Sequence, residues 1–151
     1  MTRDDDPKSR AWAVLLSAQA TLIEKIEAVL AQAKLPPLVW YDVLRELEKA
    51  EGGSLRMHEL ARRIVLSRSN LTRLADRLED AKLIERTHTR HDRRGYDCVV
   101  TRAGLAMRKK MWPVYKAEIE RLFSRHVTVE EARTIGVALA RPVKAARESE
   151  R

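Results

Sequence analysis

The sequence has little cysteine and glycine and no long apolar run, and each shortage excludes a class of protein. Its one cysteine, Cys98, has no partner for an internal disulfide, which suits a reducing compartment. No apolar run approaches the roughly 18–20 residues that a membrane span needs, and residues 1–10 lack the apolar stretch of a signal peptide. We therefore expect a cytoplasmic protein without a membrane partner.

Catalytic and cofactor-binding motifs are also missing. With only five glycines, the chain has no phosphate-binding loop of the GxxxxGK or GxGxxG kind. It has no nucleophile elbow and no pair of carboxylates in an apolar context. His88, His91 and Asp92 have the residue types of a metal site, but the cations around them oppose a metal ion. We expect no enzyme, no cofactor and no metal.

Positive charge is abundant. The chain has 151 residues with 30 Lys and Arg against 22 Asp and Glu, a net charge of +8 and a pI of about 10.0. Arg supplies 21 of the 30 cations, and its forked guanidinium suits phosphates and base edges. Apolar residues at 44% can build a core. The composition predicts one compact domain with an anionic partner.

Apolar spacing predicts a mainly α fold of six helices with a small β-hairpin. Residues 1–10 are expected to be disordered. Thr101 is expected to cap the fifth helix, with Pro113 as a kink or boundary, and Thr128 with Glu131 forms a capping box for the sixth. The predicted helices cover residues 11–34, 38–50, 57–64, 68–81, 102–126 and 128 onward, and the strands cover 83–89 and 96–100 around a turn at 92–95.

The charge is concentrated between Arg56 and Arg94, where 11 cations face six acids. That stretch contains a short helix, a tight turn, a second helix capped by Ser67 and a basic hairpin. A short helix, a capped helix with a basic outer face and a hairpin together outline a winged helix-turn-helix. The alternative is a solvated basic surface on an ordinary helical protein.

This part of the chain contains ELA at 59–61, LSRSNLTRLADRLE at 66–79, LIER at 83–86, the wing turn DRRG at 92–95, and VVT at 99–101 followed by Gly104. In combination these motifs resemble the MarR family of bacterial transcriptional regulators. Two positions depart from the family pattern. Lys82 stands where a glycine usually ends the recognition helix, so we expect Lys82 in a left-handed conformation. Arg56 and Met57 replace the usual Thr or Ser at the start of the third helix.

The resemblance and the pattern together indicate the DNA-contacting residues. A recognition helix presents its N-terminal half to base edges in the major groove, where Arg matches guanine and Asn matches adenine. The resemblance implies that Arg94 at the wing tip enters the minor groove, held by an ion pair with Asp92. The predicted DNA-binding residues are Ser67, Arg68, Ser69, Asn70, Thr72, Arg73, Arg77, Arg90, Asp92, Arg93 and Arg94.

The resemblance also implies an intertwined homodimer, a palindromic operator and a small effector. Residues 11–36 and 102–147 would form the dimerisation region, and residues 38–101 the DNA-binding lobe. The expected effector is a small aromatic or carboxylate ligand. The residues expected to line its site are Trp12, Trp40, Arg45, Met57, His58, Met111, Trp112 and Tyr115, for which core or interface packing is the alternative.

The predicted function is that of a DNA-binding transcriptional regulator, most often a repressor in this family. The alternative is an architectural or accessory DNA-binding protein without an effector. Strong discrimination between an operator and random DNA would favour the regulator. Cys98 lies in a wing strand, where we expect a small packed residue rather than an oxidant sensor.

Overall fold

The computed structural model describes residues 6–64, 68–89 and 92–149, with backbone alone for Arg68, Ser69, Thr89 and 92–94. Six α-helices and three strands follow one another in this part of the chain. In order they are α1 (Pro7–Gln32), α2 (Leu38–Lys49), β1 (Ser54–Arg56), α3 (Met57–Ile64), α4 (Arg68–Asp80), β2 (Ile84–Thr89), β3 (Asp92–Val100), α5 (Arg102–Leu122) and α6 (Val129–Glu148). Short 3-10 turns cover Glu51–Gly53 and Ser124–His126. The predicted fold class is confirmed.

The chain divides into two compact units, Met1–Tyr115 and Lys116–Arg151. The boundary falls inside α5, shortly after Pro113. No helix in the described part of the chain is both long and apolar enough to cross a membrane.

The core of the first unit lies among α2, α3, α4 and a three-stranded antiparallel sheet with the order β1-β3-β2. The apolar faces predicted from helical spacing supply most of it, and each fully buried aliphatic side chain contributes roughly 1.5–3 kcal/mol. β1 pairs antiparallel with β3. The buried core residues are Val43, Leu44, Leu47, Leu55, Leu60, Ala61, Leu71, Leu74, Ala75, Leu78, Leu83, Ile84 and Cys98.

The end of α4 and the start of α5 are joined at one point. Lys82 has φ 62, as its replacement of a glycine predicted, and its N–H donates to the carbonyl of Glu79 at 2.8 Å. Thr101 is the predicted cap: its hydroxyl donates to the carbonyl of Lys82 at 2.7 Å and accepts from the N–H of Gly104 at 3.0 Å. Gly104 is close to this junction, since an added Cβ would lie 2.2 Å from the carbonyl oxygen of Leu83.

Three predicted boundaries need correction. α1 begins at Pro7 because Asp6 accepts from the N–H of Ser9 at 3.0 Å and proline suits the first helical turn, so residues 7–10 are helical rather than disordered. Asp92–Gly95, predicted as a turn, belongs to β3; the connection falls at residues 90 and 91, outside the described residues. α5 ends at Leu122 and not near His126, which lies in a separate 3-10 turn.

The N-terminal part of α1 carries an exposed apolar stripe. Ile26 and Leu30 are buried, whereas Trp12, Val14 and Leu16 are exposed. Within α1, the buried apolar side chains therefore lie in its C-terminal part. The exposed part is the kind of surface that a partner chain covers.

In the second unit, α6 begins with the predicted capping box. The Thr128 hydroxyl accepts from the N–H of Glu131, and the Glu131 carboxylate accepts from the N–H of Thr128 at 2.8 Å. None of the described residues of α6 is buried. Val129, Val137 and Val143 are among its exposed apolar side chains. Like α1, α6 presents an apolar surface to solvent.

Candidate nucleic-acid interface

The outer face of α4 is polar and basic. Leu71, Leu74 and Leu78 are buried in the core, and this fixes the opposite face toward solvent because side chains three and four residues apart share a helix face. The predicted DNA-contacting residues on that face, Asn70, Thr72, Arg73 and Arg77, are all exposed. Arg68 and Ser69 lie in the first turn of α4, and Ser67 lies outside the described residues.

Arg86 on β2 joins the wing to α4. Its guanidinium nitrogen Nη2 lies 2.6 Å from Asp76 Oδ1 and 2.9 Å from Glu79 Oε1, and its backbone N–H donates to Glu79 Oε2 at 3.0 Å. The hydrogen bonds from Arg86 lower the pKa of Glu79 and raise that of Arg86 itself. Arg86 therefore connects β2 of the wing to α4.

Arg86 is one of the 11 cations between Arg56 and Arg94, and its contact with α4 was not predicted from the sequence. The carboxylates of Asp76 and Glu79 are three residues apart on α4, which is the only local signal for a shared partner. Their partner lies on another element, so helical periodicity does not reveal it. Because two acids surround Arg86, its charge contributes less to the basic surface than the composition implied.

The wing carries the other predicted DNA contacts. Its strands pair with His88 opposite Tyr96, and then shift register before Thr89 pairs with Asp92. The backbone of Asp92, Arg93 and Arg94 belongs to β3. Arg90 lies outside the described residues. So does His91, which the sequence analysis considered with His88 and Asp92 as a possible metal site. Among the described residues, no cluster of three His, Cys, Asp or Glu side chains is arranged for a metal.

Two of the predicted ligand-site residues lie together in an aromatic cluster, defined here as Tyr41, Trp112 and Tyr115. The ring centroids of Tyr41 and Trp112 are 6.0 Å apart and nearly parallel, and Tyr115 meets Tyr41 edge-on at 5.2 Å. Tyr41 was not among the predicted ligand-site residues, although its ring contacts both Trp112 and Tyr115, which were. Trp112 is 37% exposed, so one side of the cluster is open to solvent.

The other predicted ligand-site residues are more scattered. Trp40 and Met57 pack against the core of the first unit, and Met111 is buried. Arg45 and Trp12 are exposed; within the described part of the chain, Trp12 has no ring contact with the aromatic cluster. His58 is exposed near the start of α3.

A carboxyl group that the sequence analysis did not single out lies near the aromatic cluster. Burial raises the pKa of Asp42 to about 6, with Glu46 and Glu27 adding to the rise and Arg45 opposing it. The charge of Asp42 in turn contributes to raising the pKa of Tyr115, after burial. Glu27 accepts from the N–H of Leu38 at 2.8 Å and so caps α2, where Pro37 offers no side-chain cap. This region links α1, α2 and α5.

Cys98 is a packed core residue, as predicted. Its side chain is buried between the wing and the core, and burial raises the pKa of its thiol to about 12. A thiol in that environment stays protonated at neutral pH and reacts slowly with oxidants.

The helices α2, α3 and α4, together with the hairpin wing, define a winged helix-turn-helix. In this arrangement α4 is the recognition helix, with an exposed basic face, and Arg86 connects the wing to it. The model of the MarR family matches residues 34–95. The chain is similar to the HTH-type transcriptional repressor MdtR of Bacillus subtilis (strain 168), with 36% identity over 119 residues that cover 72% of this chain and 74% of that protein. The chain belongs to the MarR family.

Solved structures of MarR family regulators from Streptomyces coelicolor have the same fold. AbsC is 29% identical with a TM-score of 0.85, over 97% of this chain and 99% of AbsC. Sco3205, solved in complex with DNA, is 22% identical with a TM-score of 0.84, over 93% of this chain and 92% of Sco3205. The similarity to Sco3205 shows the shared fold alone.

Proposed function

We propose that the chain is a transcriptional repressor that binds double-stranded DNA through α4 and the wing. The observation that carries the proposal is the pairing of an exposed basic helix face with a wing held to it by Arg86. Arg73 on that face is a candidate for a guanine contact, and Arg77, one turn on, for a phosphate contact. Arg94, in the outer part of β3, is proposed to enter the minor groove.

Two variants of arginines in the proposed interface test this assignment, and a variant of an arginine outside the interface serves as the control. We expect Arg73→Ala and Arg94→Ala each to weaken binding to a selected operator by about tenfold or more, since a good bidentate base contact is worth roughly 1–3 kcal/mol. Arg147→Ala removes an exposed arginine from the last turn of α6 and is the matched control. Fluorescence anisotropy at fixed salt gives the affinities. Equal losses in all three variants would mean that only net charge matters.

A homodimer is the second part of the proposal. The exposed apolar side chains of α1 and α6 support it, because monomeric proteins rarely leave such stripes in water. A dimer would place two copies of α4 roughly 34–36 Å apart and match a palindromic operator. Sedimentation should give twice the chain mass, and Leu139→Glu on the exposed face of α6 should shift the protein toward monomer. A wild-type monomer at micromolar concentration would contradict the dimer.

An effector that releases DNA is the third part. The open aromatic cluster supports it, with Trp112 as the ring that a small aromatic ligand would reach first. Titration with a panel of aromatic acids and phenols should quench tryptophan fluorescence. The quenching should survive in Trp12→Phe and disappear in Trp112→Phe. Loss of quenching in Trp12→Phe instead would place the ligand elsewhere.

A further inference from the structure

An aromatic pair stands at the base of the wing and has no role in the function described so far. His88 on β2 lies directly opposite Tyr96 on β3. Their ring centroids are 4.3 Å apart, with the planes inclined by 37°. His88 is exposed and Tyr96 is 43% exposed. The pair therefore presents a phenol hydroxyl and imidazole nitrogens to solvent on a preformed platform.

The strand pairing shows which way this platform faces. Arg86 and Cys98 form the cross-strand pair two residues closer to the core, and side chains two residues apart on a strand share one face of the sheet. Arg86 reaches Asp76 and Glu79 on α4, and Cys98 is buried in the core. The aromatic pair thus lies on the α4-facing side of the wing, one step further from the core than Arg86.

The neighbouring elements show where the pair lies relative to α4 and the outer part of the wing. Arg73 is exposed on α4 one turn before the Asp76–Glu79 pair that holds Arg86. The regular pairing of β2 and β3 ends at the His88–Tyr96 pair, because the register shifts directly after it. The platform therefore lies between the recognition helix and the outer part of the wing. If α4 and the wing enter neighbouring grooves of one duplex, the sugar-phosphate strand between those grooves passes there.

We propose that the His88–Tyr96 pair binds a phosphate of the DNA backbone between the groove read by α4 and the groove entered by the wing. The proposal rests on the proposed function. The Tyr96 hydroxyl and an imidazole N–H of His88 would donate to phosphate oxygens. The ring contact holds both donors in place before DNA arrives, which lowers the entropic cost of the contact. Contacts of this kind set register and carry no sequence information.

The test removes donors and keeps the rings. We compare the wild type with Tyr96→Phe and His88→Phe on two duplexes of equal length, one selected by the protein and one of random sequence. A hydrogen bond to a charged group is worth enough for Tyr96→Phe to weaken binding about tenfold. The loss should be equal on both duplexes. The salt dependence of the Tyr96→Phe affinity should keep the wild-type slope, because the hydroxyl is neutral.

Thr87→Val is the matched control. Thr87 is exposed on β2 next to His88, but on the opposite face of the wing, and valine removes a hydroxyl while keeping the branched shape. We expect its affinity to stay within about twofold of the wild type. Circular dichroism confirms that all three variants keep the wild-type helix content.

The outcomes separate the two proposals. If the wild type binds both duplexes and Tyr96→Phe binds each of them with the wild-type affinity, the phosphate contact is overturned and the pair serves only to pack the wing. A loss confined to the selected duplex also overturns it, because a base contact then replaces a phosphate contact. A wild-type protein that binds neither duplex contradicts the proposed function itself.

Discussion

Gly104 is the position where the packing of this fold leaves least room. A Cβ added there would lie 2.2 Å from the carbonyl oxygen of Leu83, 2.9 Å from a methyl of Val100 and 3.1 Å from a methyl of Leu44. The carbonyl is backbone at the junction of α4 and β2, and its oxygen also accepts from the N–H of Thr101 at 3.0 Å. Relief of the contact therefore requires α5 to move away from the wing.

The expected cost of Gly104→Ala follows from that contact. Overpacking typically costs 1–3 kcal/mol, and the helix propensity of alanine offsets roughly 0.5–1 kcal/mol of it. Because the nearest atom is backbone, we expect a cost near the upper end and a net loss of about 2 kcal/mol. At about 2–4 °C per kcal/mol for a chain of this size, the Tm should fall by about 4–8 °C.

Gly136→Ala is the matched control, since it makes the same change within α6. Nothing lies within 4 Å of a Cβ added at Gly136, so the gain in helix propensity should appear alone as a small stabilisation. Urea and thermal unfolding followed by circular dichroism measure both variants. If Gly104→Ala is as stable as Gly136→Ala, the close approach of α5 to Leu83 is wrong.

Three further predictions concern single side chains. Arg86→Met should lower the free energy of unfolding by about 2 kcal/mol and weaken DNA binding, because Asp76 and Glu79 lose their shared partner; unchanged unfolding and binding would show that the contact does not hold the wing. Cys98 should resist a thiol reagent at pH 8 in the folded protein and react once urea unfolds it, since burial raises its pKa to about 12; rapid labelling of folded protein would contradict this. Because the folded-state pKa of Asp42, about 6, lies above its ordinary value of 3.8, the folded state binds the proton more tightly, so the contribution of this group to stability is greatest below about pH 4 and is lost as the pH rises through 6. Asp42→Asn should flatten that part of the stability profile, and an unchanged profile would refute the assignment.

The fold was predictable because its helices carry clear local signals. The apolar spacing of α2, α3 and α4 placed their ends within one or two residues, and Thr101, Thr128 and Glu131 act as caps as predicted. The errors in the predicted boundaries fell where a single capping contact or a long-range strand pairing determines where an element begins. Asp6 extended α1 toward the N-terminus, and β3 begins at Asp92, which pairs with Thr89 of β2, despite the turn-like composition of residues 92–95.

The candidate interface was predictable in outline for the same reason. Burial of one face of α4 exposes the other, so exposure of Asn70, Arg73 and Arg77 follows from periodicity. The contact of Arg86 with α4 and the ring contact of His88 with Tyr96 depend on strand register. Register is set by the whole sheet, and a sequence pattern of period two fixes which residues share a face but not which strands meet.

Selection of DNA fragments by the purified protein, followed by sequencing, tests the central claim most directly. A homodimer with two copies of α4 predicts an enriched palindrome whose half-site centres lie about 10–10.5 base pairs apart. The selected duplex should bind about 10³-fold or more tighter than random DNA at physiological salt. Retention of fragments with no common motif, or equal affinity for selected and random duplexes, would contradict a sequence-specific regulator and favour an architectural DNA-binding protein.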